Sequence, residues 1–170
     1  MGSDPRSMDS NDGRLGGRTP KADSKRHDVR QPLGSDPRSV PTVVVAAGVI
    51  ERDGRFLVTR RPRGVHLEGY WEFPGGKCEA TEDLAACLRR EIREELGVDA
   101  DVGGELLCVS HDYPERIVEL HFIACRLTAS PTPMLGQEMR WIARGELRSL
   151  DFPPADEALI ALLHERQPAD

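Results

Sequence analysis

Gly76–Val98 reads GKCEATEDLAACLRREIREELGV. Its second half predicts a helix, because Leu84, Leu88, Ile92 and Leu96 recur every four residues and give it one apolar face. Gly97 is the residue type that ends a helix in the left-handed conformation. Thr81 is expected to cap the start, with Glu82 and Asp83 favouring the positive end of the helix dipole. Beside the apolar stripe, Glu91, Glu94 and Glu95 stand at i, i+3 and i+4, so one face gathers three carboxylates. Two like charges 4 Å apart repel by roughly 4 kcal/mol at an effective dielectric near 20. That cost has no structural return unless a cation sits among them. Hard oxygen donors point to Mg²⁺ or Mn²⁺ rather than zinc. The plainer alternative is a solvated acidic face on an ordinary amphipathic helix.

Reading outward, Pro74-Gly75-Gly76-Lys77 precedes the helix. Two glycines let the backbone approach a phosphate or offer carbonyls to a metal, and Lys77 is placed to meet a phosphate oxygen. Upstream, Pro41–Ile50 suits a buried strand. Asp53-Gly54 is a hairpin signal, Arg55–Arg61 alternates as a second strand, and Trp71-Glu72-Phe73 is a short third. Downstream, Leu106–His111 and Ile117–Leu127 read as strands around a Tyr113–Arg116 turn. Glu119 and His121 fall on a polar face that could line a pocket. Met139–Ile142 is a further short strand, and Gly145–Leu150 a helical turn. Pro154 to Arg166 is an amphipathic helix with Leu159, Leu162 and Leu163 inward. Strands flanking one central helix, with a second helix closing the chain, predict an α/β sandwich.

The central stretch resembles the signature of the Nudix hydrolases: Gly76, Glu82, Arg90, Glu91, Ile92, Glu94, Glu95, Gly97 and Val98 fill its fixed positions, with none missing. The resemblance implies a Nudix-type α/β/α sandwich with a mixed central sheet, a catalytic loop-helix and a C-terminal helix. It also implies hydrolysis of the pyrophosphate bond of a nucleoside diphosphate joined to a further group. Glu91, Glu94 and Glu95 then become the candidate metal ligands, helped by a backbone carbonyl of Gly75 or Gly76. Arg90 is expected to position Glu91 through charge-assisted hydrogen bonds, and Glu82 to tie loop to helix or assist a metal. Glu94 and Glu91 are both candidates for general base.

Thr59-Arg60-Arg61, Trp71–Lys77 and Phe152–Glu157 (FPPADE) are similar to the MutT type of this family, over about Val43 to Leu163. That likeness makes Arg61, Lys77, Asp156 and Tyr113 the candidate substrate-binding residues, with Asp156 reading the base edge. MutT members carry Asn there, which donates and accepts, whereas an ionised Asp only accepts. Asp156 then favours a donor such as the cytosine amino group or the N7–H of an 8-oxopurine. If burial keeps it protonated, it can donate to O6. A branch resembling CTP pyrophosphohydrolase also has Asp, so the base stays open. In many relatives a further metal-binding Glu lies six residues before the Trp of the last strand. Here that place is Leu135, and the nearest acid is Glu138.

The 170 residues fit one domain, and a net charge of −6 argues against gripping nucleic acid by bulk electrostatics. Residues 41–170 carry 15 Lys+Arg against 23 Asp+Glu, so no basic track suits an RNA chain. Cys78, Cys87, Cys108 and Cys125 lack CxxC spacing and are each expected to be small core residues. With no apolar run near ~20 residues and no signal-peptide pattern, the expected setting is cytoplasmic. The partners are then a small nucleotide, with no nucleic acid polymer and no membrane, and the protein a monomer or homodimer. Residues 1–40 are expected to be a disordered tail, and the repeat of Gly2–Ser7 as Gly34–Ser39 reads as cloning-derived linker. The expected reaction converts 8-oxo-dGTP to 8-oxo-dGMP and pyrophosphate. CTP, modified cytidines or ADP-ribose are alternative substrates, and a non-catalytic nucleotide-binding module is a third reading.

Overall fold

A computed structural model of the protein describes residues 40–166; except for Val40, the expected tail over residues 1–40 lies outside them. Seven strands, β1 (Thr42–Arg52), β2 (Arg55–Arg60), β3 (Trp71–Glu72), β4 (Gly75–Lys77), β5 (Ala100–Tyr113), β6 (Arg116–Leu127) and β7 (Met139–Ala143), surround the helix α1 (Leu84–Leu96) in sequence. The helix α2 (Glu157–Glu165) closes the described chain. The sheet order is β3-β2-β1-β6-β5, with β4 added to β1 and β7 to β2. β1 and β6 run parallel, from Thr42↔Ile117 to Ile50↔Cys125, while the other pairs are antiparallel.

The strand period of two explains the layers. Ala46 and Ile50 of β1 turn towards α1 and pack with Cys87, Leu88, Ile92 and Leu96. Ala47 and Val49 turn the other way, towards Leu159, Ile160 and Leu163 of α2. A mixed sheet is thus sandwiched between two helices, as the periodicity predicted. Leu88, Ile92 and Leu96 are fully buried, each worth roughly 1.5–3 kcal/mol. Among the described residues no helix is long and apolar enough to cross a membrane.

Three local expectations are corrected. Asp83, not Thr81, caps α1, its Oδ1 accepting from the Ala86 N–H at 2.7 Å. The cause is the turn before it, where Glu82 N–H donates to Glu79 O and the Glu82 carboxyl accepts from the Glu79 N–H. β5 starts at Ala100 rather than Leu106, because its pairing shifts register between Val102, Glu105 and Leu107 and the bulge breaks the alternation. The last helix starts at Glu157, after a separate 3-10 turn over Pro154–Asp156. Pro154 pushes Pro153 into an extended conformation and so delays the helix.

Candidate active site

β4 runs between β1 and the acidic face of α1, and its two glycines permit the approach. A Cβ on Gly75 would lie 2.1 Å from Ala46 O, and one on Gly76 would lie 2.4 Å from Glu91 Cδ. Gly75 N–H donates to Glu95 Oε2 at 3.2 Å. The backbone therefore stands directly against two of the three helix carboxylates.

Arg90 organises the rest. Its Nε and Nη2 donate to the two oxygens of Glu82, at 2.6 and 2.9 Å. Its Nη1 reaches Glu91 Oε1 at 2.8 Å and Glu94 Oε2 at 3.4 Å, and Nη2 also reaches Lys77 O at 3.1 Å. One guanidinium thus joins the loop to three glutamates. The Arg90 hydrogen bonds, with the Glu79 N–H second, hold Glu82 down at about 2. Glu95 goes the other way. Burial first, then the charge of Glu72, pushes it up to about 8; the Gly75 N–H opposes this, while Glu91 and Glu94 add to it.

Among the described residues, no three His, Cys, Asp or Glu side chains already close around one point. The geometry supplies the reason: Arg90 draws Glu91 and Glu94, while Glu95 is turned to Gly75. The donor set still fits a divalent ion. Its ligand atoms are all hard oxygens, Glu95 carries unrelieved carboxylate repulsion, and Glu94 is exposed enough to rotate. Leu135 is exposed, and Glu138 is engaged by Arg60 at 3.2 Å and by Arg140.

Gly75 and Gly76 also line a cavity of about 350 Å³, together with Arg61, Glu72, Lys77, Tyr113 and Asp156; none of the α1 glutamates is among its lining residues. Arg61 donates to Glu72 Oε2 at 2.5 Å and to His66 O at 2.8 Å, which folds the 62–70 loop over the opening. Lys77 is exposed and forms no ion pair with another described residue. Tyr113 packs at the mouth against His66 and His111. Asp156 is only 4% exposed and makes no capping bond to α2. Burial, then the charge of Glu72, raises it to about 7 against the pull of Arg61. Sequence reasoning gave Glu72 no role. The available signal was an acid set between two aromatics, Trp71 and Phe73, that are both buried. A larger depression of about 540 Å³ borders Glu51 and Arg144. There Arg144 is already bonded to Glu51, Leu163 O and Arg166 O, which leaves little unmet chemistry.

Comparison with known proteins places the chain in a family. The NUDIX domain family matches residues 45–162. The chain is 36% identical to a CTP pyrophosphohydrolase of Escherichia coli K12 over 133 residues, 75% of this chain and 98% of the relative. It is 32% identical to an 8-oxo-dGTP diphosphatase of the same organism over 121 residues, 70% of this chain and 94% of the relative. The solution structure of the E. coli ORF135 protein superposes with a TM-score of 0.68 at 34% identity, covering 82% of this chain and all of the other. With the family spanning most of the described fold, and Gly76 and Lys77 of its signature lining the cavity, the chain belongs to the Nudix hydrolases, in their MutT-like branch.

Proposed function

We propose that this enzyme hydrolyses nucleoside triphosphates to the monophosphate and pyrophosphate, with 8-oxo-dGTP as the favoured substrate. The observation that carries the reading is Asp156, a buried carboxyl without a capping role, set in the cavity that the glycine loop also lines. Raised to about 7, it can donate to O6 when protonated or accept from N7–H when ionised. Arg61 holds Glu72 beside it and steadies that end of the cavity. Tyr113 offers an aromatic face at the mouth. CTP is the second reading, supported by the 36% identity to a CTP pyrophosphohydrolase and by the fit of an ionised Asp156 to the cytosine amino group.

Glu91, Glu94 and Glu95 would hold Mg²⁺ or Mn²⁺, which when bound neutralises phosphate charge and acidifies a water. Arg90 keeps Glu91 and Glu94 oriented, and Glu94 or Glu91 accepts the proton of the attacking water. That water's oxygen bonds to one phosphorus of the α–β anhydride, while the other phosphorus leaves with the bridging oxygen. Lys77 meets a phosphate oxygen. The small acidic domain suits free nucleotides in the cytoplasm better than a nucleic acid chain. The test is a panel of 8-oxo-dGTP, dGTP, CTP, modified cytidines and ADP-ribose with product identification. Absence of pyrophosphate release from every triphosphate would overturn the reading.

A further inference from the structure

Away from the acidic helix face, one group of ligand-type side chains is built around His121. Cys108 of β5 and His121 of β6 are direct cross-strand partners, and Glu119, two residues earlier, shares the His121 face. His121 Nδ1 lies 2.6 Å from Glu105 Oε2. Its Nε2 lies 3.9 Å from Cys108 Sγ and 3.9 Å from Glu119 Oε2. A proton held on Nδ1 by Glu105 leaves the Nε2 lone pair facing a thiol and a carboxylate. A carboxylate behind the imidazole is the arrangement that orients metal-ligating histidines.

The spacing suits a tetrahedral ion. Zinc bonds of about 2.0 Å to nitrogen and about 2.3 Å to sulfur keep those donors about 3.5 Å apart, and nitrogen and oxygen donors about 3.3 Å apart. The donors do not yet close around one point; at 3.9 Å each, the two Nε2 contacts exceed those separations by a few tenths of an ångström. Cys108 is exposed, and Glu105 and Glu119 are more than two-fifths exposed, so an ion can enter. Among the described residues neither glutamate pairs with Lys or Arg; both meet only His121.

We propose that Cys108, His121 and Glu119 form a binding site for a zinc-class transition metal, with Glu105 orienting the imidazole. Sulfur and imidazole select a softer ion than the all-oxygen set on α1, so the two sites are chemically distinct. His121 also borders the groove that Lys77, Glu82 and Arg90 line, which places the ion beside the residues that organise the catalytic loop.

The full chain in excess Mg²⁺ is titrated with Co²⁺ as a spectroscopic stand-in for zinc. One equivalent should saturate with tetrahedral visible bands and a thiolate-to-cobalt charge-transfer band, and Zn²⁺ should displace it. Cys108→Ser should abolish the thiolate band while Mg²⁺-dependent turnover stays within twofold, showing that the fold is intact. Glu105→Gln should weaken binding about 10–100-fold, and Cys78→Ser should leave the spectrum unchanged. No thiolate band in the wild type, a band that survives Cys108→Ser, or one lost in Cys78→Ser would overturn the site.

Discussion

The Glu91 carboxyl carbon stands 2.4 Å from where a Cβ on Gly76 would be. Gly76 cannot retreat, because it pairs with Ala46 inside the sheet. Gly76→Ala must therefore expel Glu91 from its place beside Arg90. A displacement of about 1 Å at a reacting centre can cost about 100-fold. We expect kcat to fall by about that factor while far-ultraviolet circular dichroism is unchanged. Unaltered turnover would remove Glu91 from the metal-binding set.

Arg90 bonds both oxygens of Glu82 and reaches Glu91 and Glu94 from the same guanidinium. Lysine keeps the charge but has no planar fork, so it cannot serve all three. Arg90→Lys should weaken Mg²⁺ activation about 10–100-fold, seen as a rise in the half-saturating Mg²⁺ concentration. Glu82→Gln should move the same quantity in the same direction by less. Equal Mg²⁺ curves for wild type and Arg90→Lys would dismiss the positioning role.

Burial and the neighbouring carboxylates raise Glu95 to about 8, so without metal it holds a proton through neutral pH. An incoming cation must displace that proton. Apparent Mg²⁺ affinity should then climb towards tenfold per pH unit between about pH 6 and 8, and flatten above. The linked stability has the opposite sign. A carboxyl raised in the folded state favours folding at low pH, so metal-free stability is lost as pH rises towards 8. Glu95→Gln should flatten both profiles, read by calorimetric Mg²⁺ titration and by thermal melts in chelator.

The fold was legible where one periodicity ruled a whole element. Leu84, Leu88, Ile92 and Leu96 announced α1, and Gly97 ends it with φ 67°. The helix start was misread because a local turn decides it: Glu82 folds back on Glu79, and the cap passes to Asp83. Fixed spacing brought Glu91, Glu94 and Glu95 to one face, but it cannot tell which carboxylate will be buried. Burial first, and second the charge of Glu72, a residue far from both in sequence, raises Glu95 and Asp156. Cys108 was expected in the core and is exposed, since a strand pattern does not show which face another layer will cover.

Asp156 links stability, pH and base choice. Buried beside Glu72, it is raised to about 7, so below that pH the folded protein keeps a proton the unfolded chain releases above about pH 3.8. Stability should decline as pH rises from about 4 to 7, by at most about 4 kcal/mol at 1.36 kcal/mol per pH unit. Asparagine carries no such proton, so Asp156→Asn should stabilise the protein at pH 8 more than at pH 4. The same titration shows which form of Asp156 meets the base. Donation to O6 of 8-oxo-dGTP needs the protonated carboxyl, so kcat/KM for that route should fall above about pH 7. Accepting from the cytosine amino group of CTP, or from N7–H of 8-oxo-dGTP, needs the ionised form, so kcat/KM for either contact should rise through the same range. Asp156→Asn offers donor and acceptor at every pH and should remove either dependence. A profile for the preferred nucleotide that is identical in wild type and Asp156→Asn would show that Asp156 does not touch the base.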